Sequence, residues 1–180
     1  MTDMAELPDE PTGWLSDREL QHVRSELPLV YVNVLPVRIN SMGEITEVGL
    51  LLRAFDGVIS RAVVAGRVLY HERIRDAIVR NLEKDLGIGA LPQVPLSPLP
   101  VAVAEYFPTR GVTPFHDSRQ HAVALVYVVP VGGHCEPQQD ALDLTWLSPE
   151  EAASDDVASE MAGGQHVLLR QALAHCGALS

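Results

Sequence analysis

The sequence predicts an α+β fold in which helices cover a mixed β-sheet. Three observations support this prediction. Apolar, β-branched runs recur in both halves of the chain, one amphipathic helical pattern separates them, and a second helical pattern closes the chain. Strands and helices do not alternate one by one, so a βαβ array with an all-parallel sheet is not expected.

Length and composition favour a single globular domain. The chain has 180 residues, of which 47% are hydrophobic and 21% are charged, a composition typical of proteins with a packed core. Residues 1–13 are acidic and contain prolines, so we expect a flexible N-terminus there. Residues 14–180 are then expected to form one domain.

Charge and cysteine content limit the function classes. A net charge of −11 disfavours nucleic acid as a partner, although a local basic patch can still bind a small phosphorylated metabolite. The acidic N-terminus lacks the apolar segment of a signal peptide, and no apolar run is long enough to span a membrane. Two distant cysteines, Cys135 and Cys176, indicate a reducing compartment or a fold that does not need disulfides. We therefore expect a cytoplasmic protein that does not bind membranes.

The first half of the chain is predicted to contain one helix followed by strands. Ser16 and Glu19 form a capping box, which predicts a helix over residues 17–26. Asp56 and Gly57 are the signal of a tight hairpin between two strands. The apolar, β-branched runs predict strands over residues 29–39, 47–55 and 58–66.

The central helical pattern covers residues 72–86 and ends at Gly87. Its apolar residues recur at helical spacing and form one stripe: Ile74, Ala77, Ile78, Leu82 and Leu86.

The second half is predicted to return to strands and to end in helices. Prolines at positions 92, 95, 98 and 100 predict a covering loop that is neither helix nor central strand. Gly132 and Gly133 are expected to turn the chain, and a capping box at Ser148 and Glu151 starts a helix. Strands are expected over residues 101–107, 121–131 and 141–147, and a last helix over residues 165–176. The side chains expected to be buried on that helix are Val167, Leu168, Ala172 and Ala174.

The central helix carries polar residues on the face that should be buried. At 100° per residue, Asn81 and Asp85 fall within or beside the apolar stripe, Lys84 lies on its flank, and Glu83 lies on the opposite side. A buried carboxylate needs a metal ion, a hydrogen-bond network or a cationic partner. Asn81 and Asp85 are four residues apart, so their oxygens can converge on one ligand. Alternatively, Asp85 pairs with a basic side chain such as Arg67.

Residues 66–88, "GRVLYHERIRDAIVRNLEKDLGI", resemble a Nudix box, whose pattern is G-x5-E-x7-R-E-U-x-E-E-x-G-U with U an aliphatic residue. The later segments "HAVALVYVV" and "DALDLTWLSPEEA" also resemble stretches of the Nudix hydrolase superfamily, and the whole chain resembles a bacterial Nudix-like group of unassigned function. The residues that match the box in register are Gly66, Glu72, Arg80, Leu82, Asp85, Gly87 and Ile88.

The resemblance implies an α/β/α sandwich with a loop–helix–loop box. It also implies a pyrophosphohydrolase of nucleoside diphosphate-linked compounds, in which water attacks phosphorus while Mg²⁺ or Mn²⁺ neutralises the developing charge. It places Asp85, and more weakly Asn81, as metal ligands. The residues that it assigns to the catalytic box are Glu72, Arg80, Asn81, Lys84 and Asp85.

Two positions depart from the box pattern. Asn81 and Lys84 stand where the pattern has carboxylates, and Glu83 points away from them. Two unit charges ~4 Å apart interact by roughly 4 kcal/mol at an effective dielectric near 20, so an ammonium group near a divalent cation opposes binding. We therefore expect impaired catalysis, with Mg²⁺ or Mn²⁺ needed if the protein is active and no cofactor if it is not. Glu72 and Arg80 then serve the fold through a salt bridge.

Two alternatives to an enzyme remain open. In the first, Lys84 binds a phosphate directly, and the protein is a non-catalytic binding or sensor module for a phosphorylated metabolite. In the second, Lys84 only pairs with Asp85 or Glu72, the pocket is vestigial, and the protein is a structural homodimer.

Several residues outside the box are candidates for substrate binding. Arg61 and Arg67 flank Gly66 and are candidate phosphate contacts together with that glycine. His116 and His121 lie in the polar loop before a buried strand, where they are either substrate contacts or ordinary loop residues. Asp140 and Asp143 are either late metal ligands or polar residues on a strand face.

Overall fold

A computed structural model of the chain describes residues 13–55 and 57–179. The predicted flexible segment, residues 1–13, lies outside the described residues except for Gly13, and so does Asp56 of the predicted hairpin turn. In chain order the elements are α1 (Asp17–Glu26), β1 (Leu29–Ile39), β2 (Ile45–Phe55), β3 (Val58–Ala62), β4 (Val64–Arg67), α2 (Ile74–Leu86), β5 (Ala90–Pro92), β6 (Ala102–Tyr106), β7 (Ala122–Gly133), β8 (Ala141–Leu147), α3 (Pro149–Ala152), α4 (Asp155–Ser159) and α5 (Gln165–His175).

The strands form one mixed sheet of eight strands. β1 and β7 run parallel at its centre, and the other pairings are antiparallel. β2 carries β8 and β3 as further neighbours, while β5 and β6 both pair with β7. The long strands are apolar and β-branched because the centre of the sheet is covered on both faces.

Helices cover both faces of the sheet. α2 buries Ala77, Ile78, Leu82 and Leu86 against side chains of the central strands, including Val32 and Val64. α5 packs on the other face, where a second cluster gathers its side chains with those of β1, β6 and β7. The residues that α5 buries are Leu168, Leu169, Ala172 and Leu173. The predicted α+β fold, an α/β/α sandwich, is therefore confirmed.

The strand expected over residues 58–66 is divided in two. β3 pairs with β2, whereas β4 leaves β2 and pairs with β1, and Val63 lies between them. This switch of partner brings Gly66 opposite Val32 in the register, on the sheet face that α2 covers. Sequence patterning could not reveal the switch, because both segments have the same β-branched, apolar composition.

Other elements differ in detail from the sequence predictions. The proline stretch contributes a short edge strand, β5, where Pro92 needs no ladder hydrogen bond. Gly132 and Gly133 do not turn the chain but pair with β5 as the end of β7. The acidic stretch after α3 contains a second short helix, α4. On α5, Ala174 is exposed and Val167 only partly buried.

Within the described residues, no helix combines the length and apolar character that crossing a membrane requires.

The contact between Gly66 and α2 gives a stability prediction. A Cβ atom built on Gly66 lies 1.8 Å from Oδ1 of Asn81, so Gly66→Ala has to displace the buried Asn81 side chain or the helix that carries it. We expect a loss of about 1–3 kcal/mol in the free energy of unfolding, the usual cost of overpacking. Urea denaturation of the wild type and the variant measures this loss.

Gly132→Ala is the matched control, because a Cβ at that strand position meets its nearest neighbour outside the adjoining residues, the carbonyl oxygen of Leu91, only at 3.8 Å. Equal stability of the two alanine variants would contradict close packing of α2 on Gly66.

Candidate functional site at the box helix

An ion pair closes the loop that leads into α2. The Arg80 guanidinium donates two hydrogen bonds to Glu72, at 2.7 and 2.9 Å, and a third to the carbonyl of Arg67 at 2.8 Å. Glu72 also accepts the backbone N–H of Leu69 at 2.9 Å. The ring of Trp14 lies 5.4 Å from the Arg80 guanidinium. These contacts fix the loop relative to the helix. They also engage the Glu72 carboxylate and the Arg80 guanidinium with each other, so that neither group is well placed to bind a ligand.

The pKa of Glu72 reflects this environment. Burial acts to raise the pKa of the carboxyl group, but the hydrogen bonds from Arg80 and Leu69 and the positive charge of Arg80 outweigh it. The pKa of Glu72 is therefore lowered, and the carboxylate is ionised in the folded protein at neutral pH.

Asn81 is buried at the contact between α2 and β4. Its side chain is 1% exposed, and its Nδ2 donates to the carbonyl of Ala77 at 2.8 Å. Its Oδ1 is buried without a hydrogen-bond partner and points toward Gly66. The prediction that Asn81 lies on the buried face is confirmed.

Asp85 is equally buried, and its charge is compensated by two cations. The carboxylate is 1% exposed, and its Oδ2 accepts a hydrogen bond from Arg53 at 2.6 Å. The ammonium of Lys84 lies 3.5 Å from Oδ1, which accepts no hydrogen bond. Arg67, which we considered as the partner, instead donates to the carbonyl of Gly13 at 2.9 Å. The cationic partner of Asp85 is therefore Arg53, a residue that the sequence did not single out.

A sequence signal for Arg53 exists. It stands within the apolar run of β2, two residues after Leu51, and alternate residues of a strand share a face. Leu51 belongs to the core cluster beneath α2, so a charge at position 53 points toward the same helix. The partner cannot be chosen from the sequence alone, because Arg53 and Asp85 lie 32 residues apart.

These residues do not fit a divalent cation. Mg²⁺ and Mn²⁺ prefer several oxygen ligands, commonly from carboxylates. On the buried face of α2 the only carboxylate is Asp85, and Arg53 and Lys84 already lie beside it. Asn81 offers one neutral oxygen. Within the described ranges, no three His, Cys, Asp or Glu side chains are grouped so that they could hold a metal ion.

The candidate residues outside the helix are engaged elsewhere. Arg61 pairs with Glu160 and donates to Thr145, whose hydroxyl in turn donates to Asp143. Asp140 lies 3.9 Å from Arg53 and is largely exposed. The structure thus brings Asp140 close to the box, but it ties Arg61 and Asp143 into a separate surface network.

The two candidate histidines contact residues outside the box helix. The backbone N–H of His116 donates to the carbonyl of Gly163, just before α5, and its ring lies 3.3 Å from the carbonyl of Pro108. His121 stacks on Phe107 with the ring centroids 4.4 Å apart, and its Nε2 is buried without a partner. Their predicted role in substrate binding stays a prediction.

Comparisons with known proteins agree with this architecture. The sheet, the two helical layers and the box helix define a Nudix fold. Residues 10–178 match the family described as a domain of unknown function, DUF4916, and the chain belongs to that family. No curated protein matches the chain.

Solved structures support the assignment of a Nudix fold. A protein from Jonesia denitrificans, described as a possible asymmetric diadenosine tetraphosphate hydrolase, is 61% identical, with a TM-score of 0.84 over 86% of this chain and 98% of its own. A Nudix-family hydrolase from Clostridium perfringens is 16% identical, with a TM-score of 0.57 over 86% and 99%. The Nudix domain of Shewanella oneidensis NrtR, solved with ADP-ribose, is 17% identical, with a TM-score of 0.57 over 88% and 97%. The resemblance to the Nudix superfamily is thus confirmed for the fold.

The Glu72–Arg80 pair predicts a pH-dependent contribution to stability. Because the folded pKa of Glu72 is lowered, its contribution is present above the unfolded pKa of about 4.3 and is lost as the pH falls through the folded pKa. We expect Glu72→Gln to lower the free energy of unfolding by about 1–3 kcal/mol at neutral pH. The difference from wild type should shrink in acid.

Urea denaturation of the wild type and Glu72→Gln at neutral and at acidic pH measures the effect. Asp76→Asn is the control, because Asp76 makes an exposed ion pair with Arg73 at the start of the same helix, and exposed pairs contribute little. A Glu72→Gln effect that does not change with pH would argue against a stabilising charge on Glu72.

Proposed function

We propose that this protein binds a phosphorylated, nucleotide-linked metabolite on a Nudix fold whose metal-dependent hydrolysis is impaired. The observation that carries the proposal is the position of Lys84. Its ammonium stands on the box helix with the side chain 31% exposed, beside a carboxylate that Arg53 already neutralises. The helix therefore presents a cation where metal-dependent relatives are expected to present carboxylates.

The local charge favours an anion over a metal ion. Two cations, Arg53 and Lys84, lie beside the single buried carboxylate of Asp85. The nearby carboxylate of Asp140 is exposed and 3.9 Å from Arg53, so solvent screens it. An ammonium has three donors, and the contact with Asp85 uses only one side of it. The remaining donors of Lys84 are available to a phosphate oxygen.

The ligand class is supported by what is described for similar structures. The Jonesia denitrificans protein is described as a possible hydrolase of a dinucleoside tetraphosphate, and the NrtR domain was solved with ADP-ribose. Both compounds contain phosphates joined to a nucleoside. We extend this class of ligand to the present chain, whose high identity to the first protein makes a related ligand the natural first choice.

Impaired hydrolysis follows from the same residues. Replacement of a carboxylate by Lys84 reverses the sign of its interaction with a divalent cation, and Asn81 supplies only a neutral oxygen. Mg²⁺ or Mn²⁺ is required only if hydrolysis persists. Binding through Lys84 requires neither ion, which separates the proposed binding protein from a metal-dependent enzyme.

Binding in the absence of metal is the first expected outcome. The compounds for a thermal-shift screen in EDTA are dinucleoside polyphosphates, ADP-ribose and nucleoside-diphosphate sugars. At least one of them should raise the unfolding midpoint of the protein. Lys84→Met should lower the affinity for that compound by about 10-fold or more, because hydrogen bonds to charged groups contribute about 1.5–3 kcal/mol. Isothermal titration calorimetry measures both affinities.

Arg73→Met is the control, since this exposed cation at the start of α2 pairs with Asp76. Lys84 is also the only lysine of the chain, so isotope-labelled reductive methylation gives one side-chain NMR probe at the proposed anchor. Ligand binding that leaves both the Lys84 resonance and the Lys84→Met affinity unchanged would place the phosphate elsewhere. No shift with any compound would favour the vestigial, structural alternative.

Restoration of the box carboxylates is the second test. We expect Asn81→Glu combined with Lys84→Glu to create or raise Mg²⁺-dependent hydrolysis of the compound that binds, and Arg53→Gln to raise it further by freeing Asp85. Product release with and without Mg²⁺ measures the gain. Wild-type turnover that depends on Mg²⁺ and equals that of the restored variants would show that catalysis is not impaired.

The single domain over residues 14–180, the cytoplasmic setting and the absence of nucleic acid as a partner remain predictions. So does the homodimer.

A further inference from the structure

Arg53 is held so that it can reach α2 from the sheet. Its backbone pairs with Ser60 of β3 on one side and with Ala141 of β8 on the other. The β2–β8 ladder shifts register between Leu52 and Arg53, and such bulges redirect side chains. The position of the guanidinium is therefore fixed by two neighbouring strands.

The guanidinium lies between carboxylates of two other elements. Its Nη2 atom is 2.6 Å from Oδ2 of Asp85 in the last turn of α2, and its Nη1 atom is 3.9 Å from Asp140, just before β8. The orphaned oxygen of Asn81 and the second oxygen of Asp85 are buried on the same face of α2. Arg53 thus lies between two carboxylates, the kind of ligand that a divalent cation binds.

We propose that Arg53 supplies, as a permanent part of the fold, the positive charge that a divalent ion supplies in a metal-dependent box. The folded protein then needs no metal ion. The arginine excludes the ion by occupying Asp85, the only carboxylate on the buried face of α2, and Lys84 adds to the repulsion. This inference shares the box geometry with the proposed function but concerns the protein without ligand, so each can fail alone.

Arginine is suited to this role. It stays charged at any pH at which the protein folds, and its planar donors can contact two carboxylates at once. A buried carboxylate that loses its partner is left uncompensated, which strongly destabilises a protein. Removal of Arg53 should therefore create a need for another cation at Asp85, and a divalent ion can meet that need.

The test measures metal dependence of the full chain in the absence of any nucleotide. Two readouts are used: the unfolding midpoint in EDTA and in excess Mn²⁺, and the amount of free Mn²⁺ by electron paramagnetic resonance. We expect the wild type to show no difference between the two conditions and no bound Mn²⁺. Arg53→Met should lower the midpoint in EDTA by on the order of 10 °C. Mn²⁺ should restore part of that loss and should bind.

Three further variants give the controls. Arg61→Met removes an arginine of similar exposure, 20% against 22% for Arg53, whose partner is Glu160, and it should show no Mn²⁺ effect. Arg53→Met with Lys84→Met should respond to Mn²⁺ more strongly than Arg53→Met. Arg53→Met with Asp85→Asn should regain stability in EDTA and lose the Mn²⁺ response.

Either of two results would overturn the inference. One is wild-type protein that binds Mn²⁺ with a rise in midpoint that Asp85→Asn abolishes, since the site then accepts a metal despite Arg53. The other is Arg53→Met protein with an unchanged midpoint and no Mn²⁺ response. If Arg53→Met does not fold, the double variant with Asp85→Asn decides: its folding supports the inference, and its failure to fold contradicts it.

Discussion

The rest of the box depends on one buried charge. α2 packs by an apolar stripe onto the sheet, and the carboxylate of Asp85 lies within that contact, 1% exposed. A charge in such a place has to be compensated, and Arg53 compensates it from β2 at 2.6 Å. The same contact joins the helix to the sheet and, in the proposed function, limits what the site can bind. A carboxylate already held by arginine is a poor metal ligand, and its neighbour Lys84 is left facing outward as a cation.

The box divides into residues that hold the fold and residues that stand at the carboxylate positions of the pattern. Glu72 and Arg80 close the loop, Gly66 lets the helix approach β4, and Gly87 ends the helix. None of these contacts needs a metal ion. Asn81 and Lys84 stand at the positions where the box pattern expects carboxylates. The fold can therefore persist while the residues at the carboxylate positions change, because the two sets of residues are different.

Local patterns predicted much of the fold and of the box. Capping boxes and periodicity located α1, α2 and the long strands, and helical spacing placed Asn81 and Asp85 on the buried face. The failures involve contacts distant in sequence. The strand predicted over residues 58–66 breaks at Val63 because β3 pairs with β2 whereas β4 pairs with β1. Arg53 meets Asp85 only because β2 lies beneath α2. On α5, Ala174 was expected inside, but Leu169 and Leu173 fill that contact.

The Arg53–Asp85 pair also constrains the order in which this sequence can evolve. A lineage that loses the arginine first passes through a protein with an uncompensated buried charge, and selection removes such proteins. A lineage that changes position 84 first keeps the pair and the fold. A change from the proposed metal-free box to a metal-dependent one is therefore expected to alter position 84 before position 53. A protein that retains Arg53 but carries a carboxylate at position 84 is the intermediate expected on that route.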